Sequence, residues 1–282
     1  MIAGEKMRSF IKAALKEDIG SGDHSTLACI PSDAAGKAVL KIKSEGILAG
    51  VVVAQQIFEY LEPGIRFNIL KKDGAEMQPG EMAFEVEGKA QTLLKGERLV
   101  LNCMQRMSGI ATLTKQFTNK IKAYPTRLLD TRKTSPNFRL LEKEAVLIGG
   151  GYNHRMGLYD MIMLKDNHID FAGGIAPAIA RVQDYLREKG LDIPVEVEAR
   201  GMKEVHEILE AGNVQRIMLD NFTPEETRQA VALIGGAYET EASGGITLDK
   251  IAAYANAGVD FVSAGAVIHQ AVSLDLSLKA EI

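Results

Sequence analysis

Hydrophobic and polar positions change rhythm along this 282-residue chain. Met7, Phe10, Ile11, Ala14 and Leu15 recur at helical spacing, which predicts an opening amphipathic helix. Gly20-Ser21-Gly22-Asp23 ends it. Residues 37–43 then alternate polar and apolar side chains, as a half-buried strand does. Residues 46–50 read as a turn region, and 51–61 as a helix stopped by Pro63-Gly64. Further strands are expected at 66–70 and 82–86, set apart by turns at Asp73-Gly74 and Pro79-Gly80. This first block is α+β with antiparallel character. Residues 92–122 predict a long helix carrying Leu99, Met104, Met107 and Ile110, with an interruption expected at Ser108-Gly109.

After Pro125 the rhythm becomes regular. Short segments at 128–129, 161–164, 195–197, 216–219, 238–242 and 261–263 read as strands. A short charged helix is expected between Pro136 and Gly149, and longer ones at 175–189, 202–211, 225–234 and 248–257. Thr223-Pro224-Glu225-Glu226 combines a cap, a proline at the first helical position and a capping-box glutamate. Strands alternating with helices imply parallel βα units. Six or so in series favour an α/β barrel over a doubly wound sheet, with a domain boundary near residues 108–125.

Composition narrows the class. With 46% hydrophobic and 25% charged residues this is an ordinary globular chain, large enough to bury a core without staples. Cys29 and Cys103 form no disulfide framework and are expected to be buried reduced thiols. Residues 1–20 mix charges with apolar positions and hold no uninterrupted apolar run, so neither a secretory signal nor a membrane span is expected. Cytoplasm is the expected location. The chain has 33 Lys and Arg against 37 Asp and Glu, a balance of −4. Between residues 127 and 168, however, seven Lys and Arg face five Asp and Glu, a local balance of +2. A cationic cluster in a mildly acidic protein points to a small anionic ligand, not to nucleic acid.

The strand ends carry the chemistry. Asp130-Thr131-Arg132-Lys133 follows the first strand after Pro125, and Lys165-Asp166-Asn167 the next. Glu198 closes the third, Asp220-Asn221 follows the fourth, Ser243-Gly244-Gly245 the fifth and Ala264-Gly265 the sixth. In a parallel barrel these ends converge on one mouth, where active sites sit. Gly244, Gly245 and Gly265 suit close approach of backbone N–H groups to a phosphate. Glu198 and Asp220 are hard oxygen donors that suit Mg²⁺, whereas no metal-ligand spacing argues for zinc. Arg132 and Arg155 can each fork onto a carboxylate, and Lys133 and Lys165 act as point charges for phosphate oxygens. His154 lies in a glycine-rich loop, Gly149-Gly150-Gly151-Tyr152-Asn153-His154-Arg155, and can hydrogen-bond a ligand carboxylate. On its pattern alone, Arg98 beside Glu97 reads as a solvated helix charge.

Asp130-Thr131-Arg132-Lys133-Thr134-Ser135-Pro136, the His154-Arg155 loop, Leu164-Lys165-Asp166-Asn167-His168, Val195-Glu196-Val197-Glu198, Leu219-Asp220-Asn221 and Glu241-Ala242-Ser243-Gly244-Gly245-Ile246 together resemble the quinolinate phosphoribosyltransferase family. The resemblance runs nearly the whole chain, from Leu15-Lys16-Glu17-Asp18 to Asp275-Leu276-Ser277-Leu278-Lys279. It implies an N-terminal α/β sandwich domain over residues 1–110, rejoined by 270–282, and an incomplete seven-stranded parallel α/β barrel over 111–269. It also implies a homodimer in which one subunit's N-terminal domain covers the other's barrel mouth, with Arg98 reaching the partner's site. Arg132, His154 and Arg155 would join Arg98 around the two carboxylates of quinolinate. Lys133 and Lys165 would serve phosphoribosyl pyrophosphate or the pyridine ring, and Thr131 would be among the substrate-binding residues. Glu198 and Asp220 would face the ribose hydroxyls and Mg²⁺, and Ser243, Gly244, Gly245, Gly265 and His269 would surround phosphate. Lys133, Lys165, Glu198 and Asp220 form the expected catalytic set.

Two positions depart from the family pattern. Asn137 stands where glycine or an apolar residue is expected. The interval from Glu198 to Asp220 is one residue longer than usual, which keeps Glu196, on the same face of its strand, as a substitute for Glu198. The implied reaction moves phosphoribose onto the ring nitrogen of quinolinate with loss of pyrophosphate and CO₂. Transfer to another acidic base without decarboxylation, or a non-catalytic binder of phosphorylated sugars, are the alternatives.

Overall fold

The computed structural model describes residues 4–281. In chain order the elements are α1 (Gly4–Ile19), α2 (His24–Cys29), β1 (Ala35–Ile42), β2 (Gly46–Ile47), α3 (Val51–Leu61), β3 (Arg66–Ile69), β4 (Glu76–Met77) and β5 (Met82–Lys89). The long α4 (Ala90–Ile121) follows, then β6 (Arg127–Leu129), α5 (Arg139–Ile148), β7 (Ile162–Leu164), α6 (Asp166–Ala172) and α7 (Ile175–Lys189). The chain continues through β8 (Val195–Ala199), α8 (Met202–Ala211), β9 (Arg216–Asp220), α9 (Pro224–Ile234), β10 (Glu239–Ser243), α10 (Ile251–Asn256), β11 (Phe261–Ser263), α11 (Ala266–His269) and β12 (Leu276–Glu281). Two compact units result. The first comprises Met1–Lys115, Thr134–Gly150 and Gln270–Ile282, and the second Gln116–Lys133 and Gly151–His269. Residues 134–150, which the sequence places within a barrel domain spanning 111–269, group with the first unit.

In the first unit a four-stranded antiparallel sheet runs in the order β12-β1-β5-β3. The C-terminal strand pairs with β1 from Lys37 opposite Glu281 to Ile42 opposite Leu276. Val39, Leu40, Phe84 and Val86 from the sheet, with Ile57 and Phe58 from α3, form a core that water does not reach. Phe58 meets Phe84 edge-on with centroids 6.4 Å apart, a favoured aromatic geometry. The start of α3 has no local side-chain cap. Instead Asp73, distant in sequence, accepts hydrogen bonds from the backbone N–H of Val51 at 2.8 Å and Val52 at 3.3 Å.

The expected break in α4 does not occur; the helix runs unbroken through Ser108-Gly109. These residues serve packing. Ser108 Oγ accepts the Ala49 N–H at 3.0 Å, and a Cβ at Gly109 would lie 2.1 Å from the carbonyl oxygen of Val272. The glycine admits a neighbouring backbone and leaves the helix intact. Asn137 also finds its reason: its φ of 60° lies in the left-handed region, which asparagine tolerates better than most residues. Cys103 is buried as expected, but Cys29, at the end of α2, is exposed. The six-residue α2 lacks the periodicity that betrays longer helices; Asp23 caps it by accepting the Thr26 N–H at 3.1 Å.

The second unit is built on six parallel strands in the order β6-β11-β10-β9-β8-β7. A parallel bridge from Leu129 to Tyr152 adds a one-residue seventh member beside β6. Val195, Val197, Ile217, Leu219, Ala242 and Val262 are all buried. The alternate phase carries Glu196 and Glu198 on β8, Arg216, Met218 and Asp220 on β9, and Glu241 and Ser243 on β10. Such interiors usually hold bulky branched residues. Here charges occupy that phase. Helix α6 begins directly at Asp166, within the polar segment that follows β7; the His168 side chain accepts the Lys165 N–H at 3.0 Å and closes its first turn.

Candidate active site

Successive strand ends of the parallel sheet deliver the polar groups side by side. Asp220 on β9 lies opposite Ser243 on β10, and the Ser263 hydroxyl on β11 meets that of Ser243 at 3.0 Å. Just past β7, Lys165 Nζ forms an ion pair with Glu198 Oε1 on β8. The lysine remains 45% exposed and the glutamate side chain 10%, so the pair is open to solvent from the lysine side. Glu196, the proposed substitute for Glu198, lies elsewhere: it is fully buried against His154. Of the two, Glu198 is the carboxylate that Lys165 engages.

Thr131 Oγ1 accepts the Lys133 N–H at 3.0 Å and curls the loop after β6. A Cβ at Gly265 would lie 3.0 Å from Lys133 Cδ and 3.2 Å from the His269 ring. The structure thus brings Lys133, Gly265 and His269 together. Gly244 and Gly245 both have positive φ, 92° and 58°. The first packs against Asn221, whose own φ is 58° and whose N–H donates to the Ser243 carbonyl at 2.9 Å. Asn221 Nδ2 in turn donates to Asp220 Oδ2 at 2.8 Å. Arg132 is exposed, as is Arg98 on α4 of the first unit.

The His154-Arg155 turn is held from several sides. Tyr152 pairs with β6, and the His154 N–H donates to the buried Asp130 carboxylate at 2.9 Å. Asp160 accepts the N–H groups of Met156 and Gly157 at 2.6 and 2.8 Å, tying the rest of the loop. The His154 ring is buried, with Nε2 at 3.0 Å from Glu196 Oε2 and 3.4 Å from Glu241 Oε2. Its Nδ1 accepts the Arg155 N–H at 2.7 Å. Both ring nitrogens are thus engaged inside the second unit. Burial pushes the imidazole toward its neutral form and the two carboxylates pull it toward the charged one, while the Arg155 N–H pointing at Nδ1 leaves that nitrogen as an acceptor, so the geometry favours the neutral ring. The Arg155 N–H aimed at Nδ1 works against a second ring proton, so the first resides on Nε2.

Burial and the neighbouring Glu241 push Glu196 up to about 7. Glu241 is more deeply buried, yet His154, Ser263 and Arg216 hold it below the usual carboxylate range. Arg216 donates to Glu241 at 2.9 Å and to the outlying Glu239 at 3.0 Å. Its guanidinium stacks 3.9 Å from the centroid of Phe261. The ligand atoms of His154, Glu196 and Glu241 lie within 4.8 Å of one another, a spacing that suits a cation. Arg216 supplies that positive charge. Sequence reasoning assigned no role to Arg216, Glu241 or Asp130. The available signal for the strand residues is a charge on the inward phase, as with Glu196 between Val195 and Val197 and Arg216 before Ile217.

Arg155 is half-buried. Burial and the nearby Arg132 lower the tendency of its guanidinium to hold a proton, while Glu196 opposes them. Two arginines sharing one region favour a ligand with more than one negative charge.

Comparison with known proteins decides the family. Residues 110–279 match the C-terminal domain of quinolinate phosphoribosyl transferase, and residues 23–108 match its N-terminal domain. The chain belongs to the quinolinate phosphoribosyltransferase family. It is 46% identical to the chloroplastic nicotinate-nucleotide pyrophosphorylase [carboxylating] of Arabidopsis thaliana, covering 98% of this chain and 83% of that one. A probable nicotinate-nucleotide pyrophosphorylase of Bacillus subtilis is 40% identical, over 97% and 93% of the two chains. The crystal structure of NadC from Streptococcus pyogenes superposes with a TM-score of 0.92 at 39% identity, covering 99% of this chain and 97% of that one. The family fold, a parallel barrel-type sheet with a separate antiparallel sheet, is the one described above. Among the described residues no helix is long and apolar enough to cross a membrane.

Proposed function

We propose that this chain transfers phosphoribose from phosphoribosyl pyrophosphate to the ring nitrogen of quinolinate. The products are nicotinate mononucleotide, pyrophosphate and CO₂, a step of NAD biosynthesis. The family match across both domains carries this reading. The grouping of Arg132 and Arg155, of Lys133 with His269, and of Lys165 with Glu198 supports it.

In this reading Arg132 and Arg155, with Arg98 from a second subunit, bind the two acceptor carboxylates. The ring nitrogen lone pair forms the new bond to the anomeric carbon as the bond to pyrophosphate breaks and its electron pair leaves with pyrophosphate. Positive charge develops on the ribose during that exchange, so Glu198 and Asp220 stabilise it from the sugar side. Lys133 stabilises the departing pyrophosphate, and Ser243, Gly244, Gly245, Gly265 and His269 surround the 5′-phosphate. Lys165, paired with Glu198, stands where acceptor and ribose meet. The ring then carries positive charge, so the bond to the 2-carboxylate can break with its electrons left on the ring. CO₂ departs and a proton replaces it.

Mg²⁺ suits the donor set through Asp220, a partly exposed carboxylate; Glu198 is less free because Lys165 already engages it. When bound, the ion neutralises pyrophosphate charge. We further propose a cytoplasmic homodimer with shared sites. Incubation with Mg²⁺, phosphoribosyl pyrophosphate and either quinolinate or nicotinate tests the reaction, with products identified by mass. Quinolinate should yield nicotinate mononucleotide and CO₂, and chelation of Mg²⁺ should stop turnover. Equal turnover of nicotinate would refute the substrate assignment, and absence of pyrophosphate release would favour a sugar-phosphate binder.

A further inference from the structure

We infer that Glu196, Glu241 and Arg216 are positioning residues for the acceptor site: through His154 they fix the backbone from which Arg155 projects. The inference rests on the proposed role of Arg155 in binding an acceptor carboxylate.

Three observations carry it. First, the connections form a continuous chain. Arg216 donates to Glu241 at 2.9 Å, Glu241 and Glu196 flank His154 Nε2, and His154 Nδ1 receives the Arg155 N–H at 2.7 Å. Asp130 completes the fixation by accepting the His154 N–H at 2.9 Å. Second, the Arg155 guanidinium has weak anchors of its own, the Met161 carbonyl at 3.3 Å and the Met163 sulfur at 3.6 Å. Its placement therefore depends on the backbone of the turn. Third, the charges lie in a region where apolar residues would do better energetically. Buried ion pairs contribute little net stability over well-packed apolar replacements. Glu196 and Glu241 are fully buried all the same. Their service is orientation: carboxylate oxygens 3.0 and 3.4 Å from Nε2 favour the ring setting that turns Nδ1 to the Arg155 N–H.

Three variants test the inference: Glu196→Gln, Glu241→Gln, and the double variant Glu241→Met/Arg216→Met, which removes both charges so that neither is left unpaired. In each, KM for quinolinate should rise by roughly 10-fold or more, the scale of one charge-assisted hydrogen bond. KM for phosphoribosyl pyrophosphate and kcat should change by less than about 3-fold on the same scale. Nitrogen NMR of labelled histidine gives a readout independent of turnover: His154 should report a proton on Nε2 alone in the wild type and lose that signature in the variants. Parallel changes in both KM values, kcat and Tm would reduce the network to a structural role and overturn the inference. Unchanged ring resonances would overturn it as well. A wild-type protein that shows the expected His154 signature but does not turn over quinolinate would refute the functional reading alone.

Discussion

Gly244 lies directly against Asn221: a Cβ at position 244 would sit 2.2 Å from Asn221 Oδ1 and 2.8 Å from its backbone nitrogen. Both residues hold left-handed backbone, with φ of 92° and 58°. Asn221 in turn holds the Asp220 carboxylate through its amide. An alanine at 244 must displace Asn221 and, with it, Asp220. Gly244→Ala is expected to lower kcat/KM for phosphoribosyl pyrophosphate by about 10-fold or more, with backbone strain of about 1–3 kcal/mol. Gly245→Ala is the control. Its Cβ would meet open space, so only the φ of 58° resists it, and activity should fall less. Steady-state kinetics on the two variants checks the contrast.

Within the first unit, one ion pair gathers three segments. Arg106 on α4 donates to Glu142 Oε1 through Nε and Nη2 at 3.0 and 2.9 Å, and through Nη1 to the Ala271 carbonyl at 2.7 Å. Glu142, fully buried on α5, also accepts the Ser135 N–H at 2.8 Å and its hydroxyl at 3.1 Å. Glu142→Ala removes the buried carboxylate that the guanidinium and the Ser135 N–H share. Loss of one partner from a buried pair costs about 3–5 kcal/mol, so Tm should drop by roughly 6–20 °C. Calorimetry would show it, and a drop under 3 °C, the scale of less than about 2 kcal/mol, would disprove the gathering role.

The two cysteines should separate cleanly by reactivity. Cys29 is exposed, whereas burial pushes the Cys103 thiol from 9.0 up to about 12. Iodoacetamide near pH 8.5 should therefore modify Cys29 alone, and both residues after unfolding, as read by peptide mass. The same shift fixes a sign for stability. Native Cys103 keeps its proton where the unfolded thiol loses one, so its contribution is complete below pH 9 and is lost as pH rises toward 12. Wild-type Tm should fall more steeply over that window than that of Cys103→Ala.

A shared site in a homodimer makes a complementation prediction. Arg98→Ala and Lys133→Ala should each be nearly inactive as pure proteins. Random mixing leaves half the dimers mixed, each with one intact site, so activity should recover to roughly a quarter of wild type. Subunit exchange verified by native mass spectrometry, without any recovered activity, would rule out the shared arrangement.

Much of this protein is determined by the amino-acid sequence read alone. The βα rhythm after Pro125 locates the six strands of the parallel sheet. The polar endings at Lys165, Glu198, Asp220 and Ser243 are legible because each closes a short strand-like segment before a helical one, a purely local pattern. Other features waited on tertiary structure. Gly109 looked like a helix break until the approach of the Val272 carbonyl explained it, and Asp73 caps α3 from 22 residues away. The sequence offers Glu196 as a substitute for Glu198 and gives Arg216 and Glu241 no role; sheet order sets Glu196 and Glu241 against His154, and Arg216 against Glu241. Periodicity reports which face of an element is buried. It carries no record of which distant side chain will be buried beside it, and in a low-dielectric interior that neighbour decides whether a charge is tolerated and what it holds.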